Sequence, residues 1–477
     1  MITLNRNTVI AKKYTERILQ FGEGNFLRAF ADWIIHKMND IANFDAGVVV
    51  VQPIEQGLVN LLNEQDGLYT LYLNGIKNGK TISEHQVIDC IQRGINPYED
   101  FETYLANAIN PNLRFIISNT TEAGIAYNAI DKLKDTPQKS FPGKLTALLH
   151  KRFTHFGGST DKGLIVIPCE LIDRNGDNLK KIILQYAKDW NLGEEFVQWV
   201  NDDNIFCNTL VDRIVPGYPK DKIEAITKEL EYKDNLVVEG EQFHLWVIEG
   251  PNSVKEEFPA KKCGLNVIFT DDMEPYRTRK VRILNGAHTT MVPIGYLYGI
   301  DKVRESLEDP VVGSYLKRTI FDEICPTLDL PEEEIKQFSN DVLDRFRNPY
   351  LEHALMSISL NSISKYKTRV LPSVIEYINR KNALPKRLLF SLAALIAFYK
   401  GERNKESIIL NDNKEVLDFF KQQWSTNNYS SIVRNVLSNK GFWGEDLSRI
   451  EGMQEFVSSN LENIMVNGMQ ESIKSLA

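Results

Sequence analysis

The sequence predicts an α/β fold, with a doubly wound, mostly parallel sheet in residues 1–270 and a mainly helical domain in residues 271–477. Three observations lead there. Short apolar runs such as Gly47-Val-Val-Val-Val51, Leu113-Arg-Phe-Ile-Ile-Ser118 and Gly163-Leu-Ile-Val-Ile-Pro168 suit strands buried on both faces, because a strand with one wet face would alternate. Segments with helical apolar spacing separate them, as in repeated strand-helix-strand units. Past residue 270 the runs give way to long helical stretches, and 477 residues exceed what one hydrophobic core can serve.

In chain order, Arg17-Ile-Leu-Gln-Phe21 is a brief strand that enters Gly22-Glu-Gly24-Asn-Phe-Leu-Arg28, and Ala29 to His36 has helical spacing. Such a glycine turn lets the backbone approach a pyrophosphate, whose charge meets the free N–H groups and positive end of the following helix. The third glycine of the full dinucleotide fingerprint is replaced here by bulkier residues. The strand Gly47–Val51 ends at Gln52-Pro53-Ile54-Glu55. A carboxylate after the second strand is where a dinucleotide fold holds the adenosine ribose, so Glu55 would favour NAD over NADP by repelling a 2'-phosphate. A solvated loop glutamate is the competing reading.

Between Gly67 and Val87, the alternation Leu68-Tyr-Thr-Leu-Tyr-Leu73 and the pairs Asn74-Gly75 and Asn78-Gly79 predict short antiparallel strands with tight turns. Pro97 to Ile109 is helical, and the strand ending at Ser118 runs into Asn119-Thr-Thr-Glu122-Ala-Gly124. Polar groups at a strand's carboxyl end are where such sheets bind ligands, which marks Ser118 and Thr120. Glu122 reads either as a general acid/base or proton conduit, or as a first-turn carboxylate stabilised by a helix dipole. Further on come a helix from Phe141 to Phe153, a strand ending in Cys169-Glu170, a helix from Asn178 to Trp190, a short strand over Phe206–Pro216, and β-type runs at Leu236–Val238 and Val267–Phe269 that flank Gln242–Val247. Helices are then predicted over Tyr276–Met291, Pro310–Cys325, Pro331–Phe346, His353–Ser362, Val370–Arg380 and Lys386–Lys400.

Several function classes are excluded by composition. A net charge of -8 with no basic block leaves no electrostatic footprint for nucleic acid or an anionic membrane surface. The most apolar run, Leu388 to Tyr399, is about 12 residues and too short to span a bilayer of roughly 30 Å. Five scattered cysteines with no Cys-x-x-Cys pair suggest neither a zinc knuckle nor a disulfide framework. No basic region followed by an apolar run opens the chain, so a cytoplasmic location is expected. The oligomeric state stays open.

Chemistry concentrates in Lys280-Val-Arg-Ile-Leu-Asn285-Gly-Ala-His288. On an α-helix at about 100° per residue, Asn285 would lie roughly 140° and His288 roughly 80° round from Lys280, so the three share one side. A base, an amide donor and an imidazole together suit carbonyl chemistry.

These residues resemble the mannitol dehydrogenase family, the polyol-specific long-chain dehydrogenases/reductases, whose signature is Lys, four residues, Asn, two residues, His. Gln20-Phe-Gly-Glu-Gly-Asn-Phe-Leu-Arg28, Gln65–Leu71, Thr120-Thr-Glu-Ala-Gly124 and Asn208-Thr-Leu-Val-Asp-Arg213 are similar to further family blocks. The segments Gln20–Phe30, Val51–Ile54 and Pro168–Asp173 most resemble the branch that reduces keto-uronates in hexuronate breakdown. Sister enzymes sharing the triad, and a silent dinucleotide-binding sensor, are the alternatives. The resemblance implies a Rossmann-type domain, NAD as cofactor, no metal, and a small sugar-acid substrate. It also implies that Gln20, Phe21, Gly22, Glu23, Gly24, Asn25, Phe26, Leu27 and Arg28 hold the cofactor with Glu55, Ser118, Thr120 and Glu122. Lys280, Asn285 and His288 would be catalytic, and Asp212 and Arg213 would contact substrate. A uronate carboxylate needs a cation, for which Lys365, Lys367 and Arg369 are candidates, Lys365 standing nearest the family's basic position. One departure stands out: mannitol dehydrogenases have an Asp-Asn pair where this chain has Glu170-Leu171. Leucine donates no hydrogen bond, so either Asn285 works with another donor, with Asn175 the candidate, or the substrate is seated differently.

Overall fold

The computed structural model describes residues 2–77, 79–121 and 123–476. The chain separates into two compact units, residues 1–74 with 82–273, and residues 75–81 with 274–477. Its principal strands are β1 (Glu16–Phe21), β2 (Gly47–Val51), β3 (Tyr69–Lys77), β4 (Lys80–Ile88), β5 (Ile91–Ile95), β6 (Phe115–Ser118), β7 (Ile165–Pro168), β8 (Ile205–Phe206), β9 (Asn208–Asp212), β10 (Val238–Glu241), β11 (Leu245–Glu249) and β12 (Val267–Thr270).

Six of these form one sheet in the order β5-β2-β1-β6-β7-β8, with every pairing parallel. The apolar runs explain it, because alternate residues feed two separate cores. Ile18, Val48, Val50, Phe115, Ile117, Ile165 and Ile167 pack on one face; Leu19, Phe21, Val49, Val51, Ile116 and Val166 pack on the other. Both faces being dry is what a parallel sheet covered by helices demands. The edge strand β5 has no such run, since its centre Gln92-Arg93-Gly94 is polar. It is held by pairing with β2 and by Arg93, which donates to both Glu16 carboxylate oxygens at 2.8 and 2.9 Å.

The insertion after β2 forms part of a second sheet, β10-β3-β4, and a third sheet has the order β12-β11-β9. Gly79 follows β3 with a positive φ of 72°, while the neighbouring Asn78 of the expected turn lies outside the described residues.

The helix expected after the glycine turn is broken in two, α1 (Asn25–Ala29) and α2 (Ala31–Ala42), with Phe30 off helical geometry. The cause is competition for carbonyls. The hydroxyl of Tyr69 donates to the Arg28 carbonyl at 2.7 Å and the Arg213 guanidinium to the Ala29 carbonyl at 2.6 Å, so these acceptors are taken from the outside. Phe30 meanwhile stacks on Phe26 and packs against Trp246. Helices α3 (Phe141–His155) and α4 (Asn175–Asp189) follow β6 and β7.

The second unit contains α5 (Glu274–Arg279), a π-helical turn at Lys280–Asn285, α6 (Gly286–Tyr298), α7 (Pro310–Arg318), a second π turn at Thr319–Ile324, α8 (Glu332–Phe346), α9 (Ser362–Arg369), α10 (Leu371–Lys381), α11 (Lys386–Phe398) and α12 (Met453–Asn467). Helix α11 is buried along its length from Leu388 to Phe398 and packs against α6 and α12. Its first N–H groups, on Arg387 and Leu388, donate to the buried Glu323 carboxylate at 2.9 and 2.8 Å, a side-chain cap from outside the helix. Where a helix was expected over His353–Ser362, only Leu355–Ile358 and the last residue, Ser362, which begins α9, are helical. Asn361 sits in the left-handed region at φ 53° with its N–H on the Asn411 carbonyl, which stops one helix and starts α9.

Ile117 is fully buried in the sheet, so Ile117→Ala should destabilise the first unit by about 2–5 kcal/mol. Chemical denaturation followed by tryptophan fluorescence measures this, and a loss under ~1 kcal/mol would contradict a dry, two-sided sheet.

Candidate active site

The parallel register aligns the strand ends. Phe21 pairs with Val51 on one side and Ser118 on the other, and the strand order reverses between β1 and β6, the switch point where open α/β sheets place ligands. Gly22 lies there at φ 118°, and a Cβ on it would come within 2.9 Å of the Asn119 carbonyl. Glycine is required by both the angle and the neighbour. Gly24 is the opposite case, since among the described residues a Cβ there would meet nothing within 4 Å. The open space over Gly24 and the first N–H groups of α1, which have no intrahelical acceptor, form a cradle that fits a pyrophosphate.

Other parts of the turn point inward. Gln20, Phe21, Leu27 and Arg28 are 0, 0, 1 and 2 % exposed. Arg28 donates to the Glu23 carbonyl at 3.1 Å, to Asn25 Oδ1 at 2.7 Å and to the Leu236 carbonyl, with its guanidinium over the Tyr69 ring. Its donors are spent on bracing the turn rather than facing a phosphate. Gln20 is similarly bound to the Gly22 carbonyl at 3.1 Å and to Asp32 at 3.2 Å. Burial pushes the Asp32 carboxyl up to about 7. Glu55 stands exposed on the loop after β2; the Gln52 amide shapes that loop by donating to the Ile54 and Glu55 carbonyls at 3.0 and 2.9 Å.

At the end of β6 the structure brings in a residue to which the sequence assigned no role. The Glu170 carboxylate, 2 % exposed, accepts from Ser118 Oγ, from the Thr120 N–H and from Thr120 Oγ1, each at 3.0 Å. Burial pushes its carboxyl up, and these donors pull the other way. Ser118 and Thr120 are thereby fixed side by side; Glu122 lies outside the described residues. The only sequence signal was a polar residue following β7.

Arg213 is buried as well. It is 5 % exposed, lies 4.3 Å from the Trp33 ring centroid and donates to the Glu241 and Ala29 carbonyls at 2.9 and 2.6 Å. Those donors hold three segments together and are not offered to a substrate. Asp212 is buried at 8 % and pairs with Leu245 in the β9–β11 ladder.

In the second unit, Lys280, Asn285 and His288 are all partly exposed, while Ile283, Leu284 and Ala287 are buried on the other side. The expectation of an ordinary α-helix from Lys280 is overturned for the first six residues, which wind as a π-helix. A π turn closes i to i+5 hydrogen bonds, so the five-residue spacing puts Asn285 about one turn above Lys280 rather than well round from it. The α-helix resumes at Gly286 and carries His288. The His288 ring stacks on Phe346 at 4.3 Å and meets His353 edge-on at 5.4 Å; burial lowers the His353 imidazole. Arg279, just before the triad, is 4 % exposed, and its guanidinium lies over Phe338 at 4.4 Å.

Helix α9 lies alongside, because a Cβ on Gly286 would be 3.1 Å from the Arg369 carbonyl. The two cationic candidates on α9 differ. Lys365 Nζ donates to the Ile358 carbonyl at 2.7 Å. Arg369 is half-buried, burial lowers its guanidinium, and among the described residues it has no hydrogen-bond or ion-pair partner. Among those residues, too, no group of three or more His, Cys, Asp or Glu is arranged to hold a metal, and no helix is long and apolar enough to cross a membrane.

Comparison with known proteins gives two matches in tandem, the mannitol dehydrogenase Rossmann domain over residues 16–262 and the mannitol dehydrogenase C-terminal domain over residues 272–465. The chain belongs to the mannitol dehydrogenase family. Curated relatives named altronate oxidoreductase, from Phocaeicola vulgatus and Bacteroides thetaiotaomicron, are 49 and 48 % identical over the whole of both chains, and one from Enterobacter sp. is 47 % identical over the same extent. Among solved structures, D-sorbitol dehydrogenase in substrate-free form superposes with a TM-score of 0.81 at 22 % identity, covering 99 % of this chain and all of that one. Pseudomonas fluorescens mannitol 2-dehydrogenase, solved with NAD and D-mannitol, gives 0.65 at 21 %, covering 100 % of this chain and 99 % of that one. At these identities the structures establish the fold.

Leu171 is 63 % exposed. Asn175 does not replace the missing donor. It is fully buried, its amide donates to the Pro168 and Glu170 carbonyls at 3.1 Å each, and its oxygen accepts from the Gly176 and Thr209 N–H groups. Both ends of that side chain are committed to holding α4 against the β7 and β9 ends.

The two glycines of the turn should respond differently to a methyl group. Gly22→Ala should cost about 1–3 kcal/mol of stability through its backbone angle, whereas Gly24→Ala should stay within about 0.5 kcal/mol. Denaturant midpoints of the two variants test this, and equal losses would contradict the open space over Gly24.

Proposed function

We propose that this chain is an NAD(H)-dependent altronate oxidoreductase interconverting D-altronate and D-tagaturonate. The observation that carries the reading is full-length identity of 46–49 % to relatives of that name, with the Lys280, Asn285, His288 set partly exposed along one turn. Bound NAD supplies the hydride acceptor, and NADH the hydride donor in the reverse direction. Gly22, Gly24 and Asn25 would hold its pyrophosphate, with Glu55, Ser118 and Thr120 toward its two ends.

In oxidation, the carbinol C–H leaves as hydride and the O–H proton passes to Lys280 Nζ, giving ketone, reduced cofactor and an ammonium; reduction reverses each transfer. Lysine ordinarily titrates near about 10.4 and must fall towards roughly 7–8 for efficient transfer. The Asn285 amide N–H donates to the oxygen where negative charge develops, worth about 3–4 kcal/mol of barrier. His288, oriented by Phe346, hydrogen-bonds a neighbouring hydroxyl.

Of the cations on α9, Arg369 is the stronger candidate for the uronate carboxylate because none of its guanidinium donors is engaged among the described residues, while one of the three Lys365 ammonium donors is held by the Ile358 carbonyl. Planar bidentate geometry also suits a carboxylate. Arg369→Ala should raise the KM for tagaturonate at least about tenfold, the loss of one charge-assisted pair, and leave a neutral ketose unaffected; an equal rise for both would remove the assignment.

Lys280→Ala should abolish turnover and preserve NADH binding measured by fluorescence; retained turnover would refute the mechanism. Following NADH oxidation with tagaturonate, fructuronate and fructose side by side tests the substrate. A preference for fructuronate or fructose would move the chain to a sister activity, and binding of NADH without turnover of any of them would make it a sensor.

A further inference from the structure

The side chain between the two turn glycines has a place that the fold alone does not require. Glu23 is 8 % exposed and lies under the loop after β2 rather than in solvent. Its Oε1 accepts from the Leu58 N–H at 3.3 Å, and the loop closes on it so tightly that a Cβ on Gly57 would fall 2.1 Å from Oε1 and 2.5 Å from the Gln52 amide carbon. Gln52 in turn sets the loop through Ile54, Glu55 and Val59. The second oxygen, Oε2, is buried without a hydrogen-bond partner among the described residues. Burial pushes the carboxyl up, while the Leu58 N–H, the residue's own N–H and the Arg28 guanidinium favour its charged form.

A buried acid with one oxygen unsatisfied is costly. It stands inside the loop that carries Glu55, and that loop follows the second strand, where a dinucleotide fold seats the adenosine ribose. Glu55 projects into solvent, where its charge is screened; an ionised Glu23 acts from the interior, where screening is weak.

We propose that Glu23 is a specificity-determining residue that disfavours a 2'-phosphorylated dinucleotide, acting as a fixed interior negative charge beneath the ribose loop while its Oε1 latches that loop to the glycine turn. The inference rests on the NAD(H) reading above. A ribose hydroxyl tolerates the charge, and a phosphate dianion is repelled by it. Charge and latch are separable, because glutamine keeps an oxygen for the Leu58 N–H and loses the charge, whereas aspartate keeps the charge and shortens the reach.

The test measures dissociation constants of NADH and NADPH by fluorescence for the wild type, Glu23→Gln and Glu23→Asp, with melting temperatures in parallel. Glu23→Gln should tighten NADPH relative to NADH by about tenfold, the size of one weakly screened charge interaction. Glu23→Asp should weaken both cofactors alike and leave their ratio unchanged. An unaltered ratio in Glu23→Gln, or an equal change of ratio in both variants, overturns the proposal. Failure of the wild type to bind NADH would overturn the cofactor reading itself, a different result from an unchanged ratio.

Discussion

The contact on which the first unit depends is the approach of Gly22 to the Asn119 carbonyl at the ends of two adjacent parallel strands. Parallel pairing carries Phe21 level with both Val51 and Ser118, so three chain segments leave the sheet at one height. Only a residue without a Cβ can turn away there, at a φ that other residues rarely adopt. From that crossing follow the open space over Gly24, the closeness of the Ser118–Thr120 segment, and the burial of Glu23 under the loop after β2.

The turn is held by polar groups that never reach its surface. Arg28, Arg213, Glu170 and Asn175 are all 5 % exposed or less, and each satisfies backbone or hydroxyl groups that would otherwise be buried without partners. Loops at the carboxyl ends of parallel strands have no ladder of their own, so buried peptide groups there need side-chain partners. This explains why so many charged residues near the glycine turn are structural. Removing any one would leave several partners unsatisfied rather than a single bond broken.

In the second unit the governing feature is the π turn. One helix carries the proposed proton-transfer group, amide and imidazole, yet its first six residues follow a wider winding than the rest. The wider turn brings positions five apart nearly over each other, and π turns often occur where function is built into a helix. Gly286 at the junction lets the backbone of α9 approach at the Arg369 carbonyl, and the His288 ring stacks on Phe346.

By itself the sequence determined the class of fold, the positions of most buried strands and the family, because these depend on local apolar patterning and on residue types at short spacings. Gly47–Val51, with every residue buried, and the Lys280, Asn285, His288 spacing needed nothing from distant parts of the chain. Tertiary structure decided which residues of those motifs face outward. Whether Arg28 meets a phosphate or Leu236, whether Arg213 meets a substrate or the Ala29 carbonyl, and whether Asn175 is available as a donor turn on partners up to 208 residues away in the chain. The polar edge strand β5, the break at Phe30 and the π turn escaped the pattern as well. The break at Phe30 comes from hydrogen bonds taken by Tyr69 and Arg213, and β5 is held by its neighbour and by Arg93, partners that periodicity does not record.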